Sequence, residues 1–283
     1  MRCFTPDNKY LQQIKHLCSI CFNMEAEEVD YVFDNNYIST EICYAIEDKN
    51  KICCMLFTVP CTMVNDNKNI KGHYIYGACT SPVYRHRGLM HRLIEYALCK
   101  RKSIGDNFSV LLPSNKELYN FYGAMGYVPL YKASNRYVNK SELPVLQSKV
   151  SYTDNVSIEF MHSLRSTVCG NYTGTILYSY NVLSYAVKYA KECSGGAVQC
   201  QYGYIIYAYD DNNCMIVLEL MCMPKHLKIM LGVLNSICTS KKLLLRLPIW
   251  LKNSNEHFGM INIFDDSINR EDMISAYLGL TFD

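Results

Sequence analysis

Tyr76-Gly77-Ala78-Cys79-Thr80-Ser81-Pro82-Val83-Tyr84-Arg85-His86-Arg87-Gly88-Leu89-Met90 runs from a strand pattern, through a basic loop containing one glycine, into a helical pattern. That layout makes an anion site. The first turn of a helix carries unpaired N–H groups and the positive end of the helix dipole, and Gly88 lets a phosphate approach the backbone with no Cβ in the way. Arg85 and Arg87 add charge at the rim. The stretch is neither a Walker motif nor a dinucleotide fingerprint, because it lacks G-x-x-x-x-G-K-[ST] and no G-x-G-x-x-G follows a strand. The plain alternative is an ordinary strand-to-helix turn with a solvated basic face.

Working outward, residues 71–79 read as the strand that feeds the loop. Residues 88–102 read as a helix with Leu89, Leu93, Ile94, Ala97 and Leu98 facing inward. Upstream, 52–64 is rich in β-branched, aromatic and sulfur-bearing residues and pairs as a hairpin with 40–47 across Asp48-Lys49-Asn50-Lys51. The spacing of Leu11, Ile14, Leu17, Cys18 and Cys21 predicts an amphipathic helix over 10–22, with another from Glu25. Downstream come a short strand at 108–112, a helix at 116–125 that Gly126 stops, and a final strand pair at 127–137.

Residues 140–156 contain Pro144 and no clear periodicity, so they read as a linker. Beyond them the patterns predict helices at 158–168 and 179–193, strands at 199–209 and 214–220, a helix at 224–238 and a strand at 242–247. The order of helices, hairpin, helix and strand repeats the first half. The chain is therefore expected to be mixed α/β with two domains, 1–149 and a smaller 150–283.

The next informative stretch is Leu111-Leu112-Pro113-Ser114-Asn115-Lys116-Glu117-Leu118-Tyr119-Asn120-Phe121-Tyr122-Gly123-Ala124-Met125-Gly126-Tyr127. Arg85-x-x-Gly88, then Asn115, Phe121-Tyr122 and Gly126-Tyr127, follow in order the patterns R/Q-x-x-G-x-G/A and N-x-x-x-x-x-F-Y-x-x-x-G-F/Y. On these motifs, residues 10–137 resemble the GCN5-related N-acetyltransferase (GNAT) family. The match departs at Met90, where the family usually has Gly or Ala. The form Thr80-x-Pro82-x-Tyr84-Arg85 and the second α/β half are similar to the enhanced-intracellular-survival type, with no length for that type's third, sterol-carrier-like domain.

The resemblance implies a GNAT acyl-CoA N-acyltransferase fold, with acetyl-coenzyme A lying where two parallel strands splay apart. The backbone of Ala78, Cys79 and Thr80 would pair with the pantetheine arm. The N–H groups of Arg87, Gly88, Leu89 and Met90 would hold the pyrophosphate, with Arg85 beside them. Asn115 would cap its helix or hydrogen-bond the pantetheine. Tyr122 is the implied acid, since a phenol of pKa about 10 can protonate a departing thiolate of pKa about 8.5. For the base, His73 lies on the strand feeding the loop and titrates near neutrality. The carboxylate of the last residue, Asp283, is the other candidate, as in enhanced-intracellular-survival relatives, and the mildly apolar tail 276–283 is expected to dock. At the second domain's strand-to-helix junction, Cys222-Met223-Pro224-Lys225-His226-Leu227 has no glycine, so that domain is expected to bind no cofactor.

Composition narrows the function classes. Across 283 residues, 28 Lys and Arg against 26 Asp and Glu leave a net charge of +2, which gives no electrostatic footprint for nucleic acid. No stretch approaches the roughly 18 apolar residues of a membrane span, and the N-terminus has no apolar leader, so a cytoplasmic protein is expected. The 15 cysteines are scattered through apolar runs and read as reduced, buried thiols. Cys18-x-x-Cys21 sits inside a helical pattern with no second pair, and reads as packing rather than a metal or redox site. No metal is expected. The sequence thus points to an N-acetyltransferase that moves an acetyl group from acetyl-coenzyme A to a primary amine of a small molecule or peptide by direct attack. The alternative is a coenzyme A-binding or interaction module without catalysis.

Overall fold

The run Lys51–Asn65 is buried along almost its whole length, on both faces. A strand of that kind must be the covered centre of a sheet. The computed structural model describes residues 1–35, 37–66, 68–146 and 150–281. In chain order the first half gives β1 (Arg2–Phe4), α1 (Leu11–Phe22), α2 (Ala26–Asp34), β2 (Cys43–Asp48), β3 (Lys51–Asn65), β4 (Lys68–Thr80), α3 (Leu89–Ser103), β5 (Phe108–Leu111), α4 (Lys116–Gly123) and β6 (Val128–Pro129). The second half gives β7 (Ala133–Asn139), α5 (Ile158–Cys169), β8 (Ile176–Leu177), α6 (Tyr180–Glu192), β9 (Gly196–Cys200), β10 (Gly203–Tyr209), β11 (Met215–Cys222), α7 (Leu227–Ile237), β12 (Lys242–Pro248) and β13 (Met260–Ile263).

The chain divides into two compact units. The first comprises residues 1–62, 70–128 and 260–268. Its strands follow the order β1-β2-β3-β4-β5-β13-β6. β4 and β5 are parallel, joined through α3, whose Leu89, Leu93, Ile94 and Ala97 are buried. α1 presents Ile14, Leu17 and Cys18 to the core and ends on Asn23, the left-handed residue that closes the helix. α2 opens with a capping box in which Glu25 and Glu28 satisfy each other's backbone N–H groups. Further along α2, Asp30 pairs with Lys15 of α1 at 2.7 Å.

The second unit comprises residues 63–69, 129–259 and 269–283, with strand order β7-β12-β11-β10-β9. β11 and β12 are parallel and joined through α7, as β4 and β5 are through α3. Its interior holds a buried ion pair, Arg165 of α5 donating to Glu219 of β11, which also accepts from the Tyr204 hydroxyl. A buried pair of this kind needs its remaining polar atoms answered, and the second guanidinium nitrogen, Nη1, donates to the Ile176 carbonyl.

Three expectations change. The units part at residues 128/129 rather than 149/150, and the second is the larger. The strand pair expected at 127–137 is divided, with β6 in the first sheet and β7 in the second, antiparallel to β12 from Ala133↔Pro248 to Asn139↔Lys242. The partner of β5 on that side is instead β13, antiparallel from Phe108↔Ile263 to Leu111↔Met260. The first sheet therefore takes β13 from beyond the last strand of the second sheet, so a single cut in the chain does not separate the two sheets. The strand expected over 199–209 is a hairpin, β9 and β10.

The register of β4 depends on Gly72, where an added Cβ would stand 2.6 Å from both the Phe108 ring and its carbonyl oxygen. Gly72→Ala is expected to destabilise the first unit by about 1–3 kcal/mol, read as a lower denaturant midpoint. Gly123→Ala, at the end of α4 with open space around it, should be neutral or stabilising by up to about 1 kcal/mol.

Candidate active site

β4 delivers the site. Its parallel ladder with β5 spans Gly72↔Phe108 to Tyr74↔Val110, after which β4 runs on to Thr80 while β5 ends at Leu111. Gly77 adopts a left-handed φ of +58°, which breaks the extended run, and an added Cβ there would press on the Phe57 ring at 3.2 Å. Ala78, Cys79 and Thr80 thus continue past the end of the ladder, where backbone N–H and C=O groups are left to another partner.

Beyond Thr80 the chain makes a single 3₁₀ turn at Pro82–Tyr84, anchored by the Ser81 N–H on the Cys53 carbonyl at 2.9 Å. The side chains of Arg85 and Arg87, expected to add charge at the rim, also shape the loop. Arg85 Nε donates to the Thr80 carbonyl at 3.2 Å, and Arg87 Nη2 to the Val83 carbonyl at 2.9 Å. The Arg87 guanidinium also lies over the Tyr84 ring at 5.2 Å, and the Tyr84 hydroxyl donates to Asp48. His86 (φ +60°) and Gly88 (φ +69°) are both left-handed, and turn the backbone into α3. Gly88 is the N-cap, makes no side-chain cap, and has nothing within 4 Å of the place a Cβ would occupy. The N–H groups of Leu89 and Met90 in the first turn have no partner within the helix by geometry. Met90 packs its side chain against the core cluster around Leu93 and Tyr122, so its bulk lies inward.

The other motif residues divide. Asn115 caps α4, its Oδ1 accepting from the Leu118 N–H at 3.1 Å. Tyr122 is 8% exposed and lies edge-on to Phe121 and Tyr127, with ring centroids at 5.2 and 5.9 Å. Tyr127 in turn shares a 2.7 Å hydrogen bond with Ser109 of β5. His73 is fully buried, its Nδ1 2.7 Å from Asp106 Oδ2, and Asp106 also accepts from Arg101 Nε at 2.7 Å. It stands on β4 some 20 Å of strand before Thr80. Burial lowers the His73 pKa, partly offset by Asp106; burial opposes the Asp106 carboxylate, but His73 and Arg101 outweigh it and hold its pKa below the usual value. Both directions favour a neutral imidazole that donates its Nδ1–H to the carboxylate. Asp283 lies outside the described residues, while the tail before it is buried from Ala276 to Thr281, and Arg246 Nη1 meets the Thr281 hydroxyl at 3.3 Å.

The sequence pattern gave no sign of Asp106 and Arg101 as partners of His73, of Ser109 as the partner of Tyr127, or of the left-handed His86. Among the described residues, no group of three or more His, Cys, Asp or Glu side chains gathers as a metal site, and no helix is long and apolar enough to cross a membrane.

Residues 5–129 match the model of the acetyltransferase (GNAT) domain family. This segment is a GNAT domain. The GNAT match spans β4, the loop to Gly88 and the Tyr122 helix, so the geometry above belongs to it. No curated protein matches the chain. Among solved structures, it is similar to a GCN5-related N-acetyltransferase from Kribbella flavida, with TM-score 0.74 and 14% identity over 93% of this chain and 70% of that one. Eis1 from Mycobacterium abscessus gives 0.71 and 11% over 94% and 74%. Saccharomyces cerevisiae N-myristoyltransferase, solved with bound myristoyl-CoA, gives 0.61 and 8% over 100% and 89%. At these identities the likeness is one of fold.

The buried imidazole gives a signed pH dependence. Because His73 titrates lower when folded than its ordinary 6.5, the unfolded chain takes up that proton first, so stability is full above about 6.5 and falls as pH drops toward the folded value. His73→Asn retains an N–H toward Asp106 but cannot titrate. Denaturant midpoints from pH 7.5 to 5 should slope downward in the wild type and lose most of that slope in the variant.

Proposed function

We propose that the GNAT domain binds acetyl-coenzyme A along the free end of β4 and at the start of α3, and that the chain transfers the acetyl group to a primary amine of a small molecule or peptide. The observation that carries this is the conjunction at Gly88: a left-handed glycine at the N-cap of a 15-residue helix, open space where a Cβ would stand, and β4 outrunning its parallel partner just before it. An anion can sit against the Leu89 and Met90 N–H groups there, favoured by the helix dipole. The exposed Arg85 and Arg87 add positive potential. The backbone of Ala78 and Cys79, with the Thr80 N–H, is the stretch that an amide-bearing arm such as pantetheine would pair with, the Thr80 carbonyl being taken by Arg85.

When bound, the thioester supplies an activated acetyl group, and the chain's part is to orient it and to manage one proton. Tyr122 is given the acid role. A phenol can donate its proton, and here the ring that carries it is fixed by Phe121 and Tyr127. His73 is given no part in this reading, since its Nδ1 is engaged by Asp106 and its ring is closed from solvent. Asp283 stays a candidate base by resemblance alone. The second unit is read as binding no cofactor, because α7 starts from His226, whose φ of −101° is not glycine-like and whose ring lies 4.8 Å from Tyr202.

Calorimetry with acetyl-coenzyme A tests the reading. Wild type should bind and Gly88→Glu should not, while Tyr122→Phe should bind as wild type yet turn over an accepted amine at least about 10²-fold more slowly. A folded wild type that does not bind contradicts the proposal. Binding without turnover on any of a broad panel of amines would replace it by a coenzyme A-binding module.

A further inference from the structure

Sulfur gathers beside the end of β4, and acyl transfer makes no use of it. Cys21, in the last turn of α1, places its Sγ 3.6 Å from the Thr80 carbonyl, the same oxygen that accepts from Arg85 Nε at 3.2 Å. The Arg85 guanidinium thus shares an acceptor with the Cys21 sulfur, and its charge acts on that thiol. Cys79, on β4, hydrogen-bonds to Cys21, and Cys54 of β3 meets the Thr80 hydroxyl at 3.2 Å. The two hydrogen-bonded thiols differ in access, Cys21 being half-buried and Cys79 buried.

Their electrostatics differ as well. The hydrogen bond from Cys79, with the Arg85 charge beside it, holds the Cys21 thiol down to about 7 against the effect of burial. The hydrogen bond to Cys21 and burial push Cys79 up. Cys18, one turn earlier in the same helix, is pushed up to about 12 by burial, and so is Cys54. The Cys18-x-x-Cys21 spacing is thus incidental: the partner of Cys21 comes from β4.

We propose that Cys21 and Cys79 form an oxidant-sensitive dithiol site, Cys21 being the thiol that a peroxide attacks and Cys79 the thiol that resolves it. An accessible sulfur flanked by a guanidinium and touching a second thiol is the arrangement such a site requires. The Cys21 thiolate attacks one peroxide oxygen, the S–O bond forms as the O–O bond breaks, and water leaves after protonation. Cys79 then attacks the sulfenic sulfur, gives up its proton, and a second water departs as the S–S bond forms. Two thiols are oxidised, and one peroxide is reduced to two waters. A dithiol reductant reverses the bond.

The full-length chain is treated with one equivalent of hydrogen peroxide at pH 7, alkylated and mapped by peptide mass spectrometry. The expected product is a Cys21–Cys79 linked peptide that dithiothreitol reverses and that is missing from Cys21→Ser, with exposed Cys99 less modified. Iodoacetamide labelling of Cys21 should have its pH midpoint near 7, moving upward in Cys79→Ala. Oxidation confined to Cys99, or Cys21 driven to sulfinic acid with no linkage, overturns the proposal. Neither readout requires acetyl-coenzyme A to bind, so this result stands apart from that of the acyl-transfer reading.

Discussion

β4 and β5 run side by side only where Gly72–Tyr74 face Phe108–Val110, and the site depends on where they part. At the near end, the missing Cβ of Gly72 lets the strands close, and the buried His73–Asp106–Arg101 arrangement ties the start of β4 to the last turn of α3. At the far end, left-handed Gly77 takes β4 out of the extended conformation, and Pro113 follows the end of β5, where no backbone N–H remains to continue a ladder. A strand that outruns its neighbour leaves polar backbone in need of a partner, and the next residues are the ones that turn into the Gly88 cap.

The second unit repeats the strand, helix and parallel strand of the first but not its junction. Gly88 opens space at the start of α3, whereas His226 at the start of α7 fills it with a ring against Tyr202. The interiors diverge too. The first unit places a buried imidazole between strand and helix, and the second buries a full ion pair, Arg165 with Glu219. One architecture supports two different interiors, which is why the reading of function rests on the junction and not on the fold.

Where an element is long and its apolar residues repeat, the sequence is legible: the reading of 88–102 corresponds to Leu89–Ser103, and 52–64 to Lys51–Asn65. The cap at Asn115 and the open junction at Gly88 are legible as well, because capping and the absence of a Cβ follow from residue type at a fixed position. β13 is not, since Met260–Ile263 is four residues long and becomes a strand only through β5, far away in the chain. Long-range partners are hidden for the same reason. Asp106 reads as a loop residue, yet its carboxylate is buried between His73 and Arg101, and Cys21 reads as helix packing while its sulfur meets Cys79. Arg85 and Arg87 read as solvated charge, whereas both donate to carbonyls of their own loop.

Amide hydrogen exchange of the wild-type chain, with and without acetyl-coenzyme A, tests the central claim that the end of β4 and the start of α3 form one binding surface. The account predicts that added acetyl-coenzyme A slows exchange at residues 78–80 and 87–90, with little change in the second unit's β11 to α7 junction at 222–227. Unchanged exchange at 78–80 and 87–90 under saturating acetyl-coenzyme A, or protection gained at 222–227 instead, would contradict it.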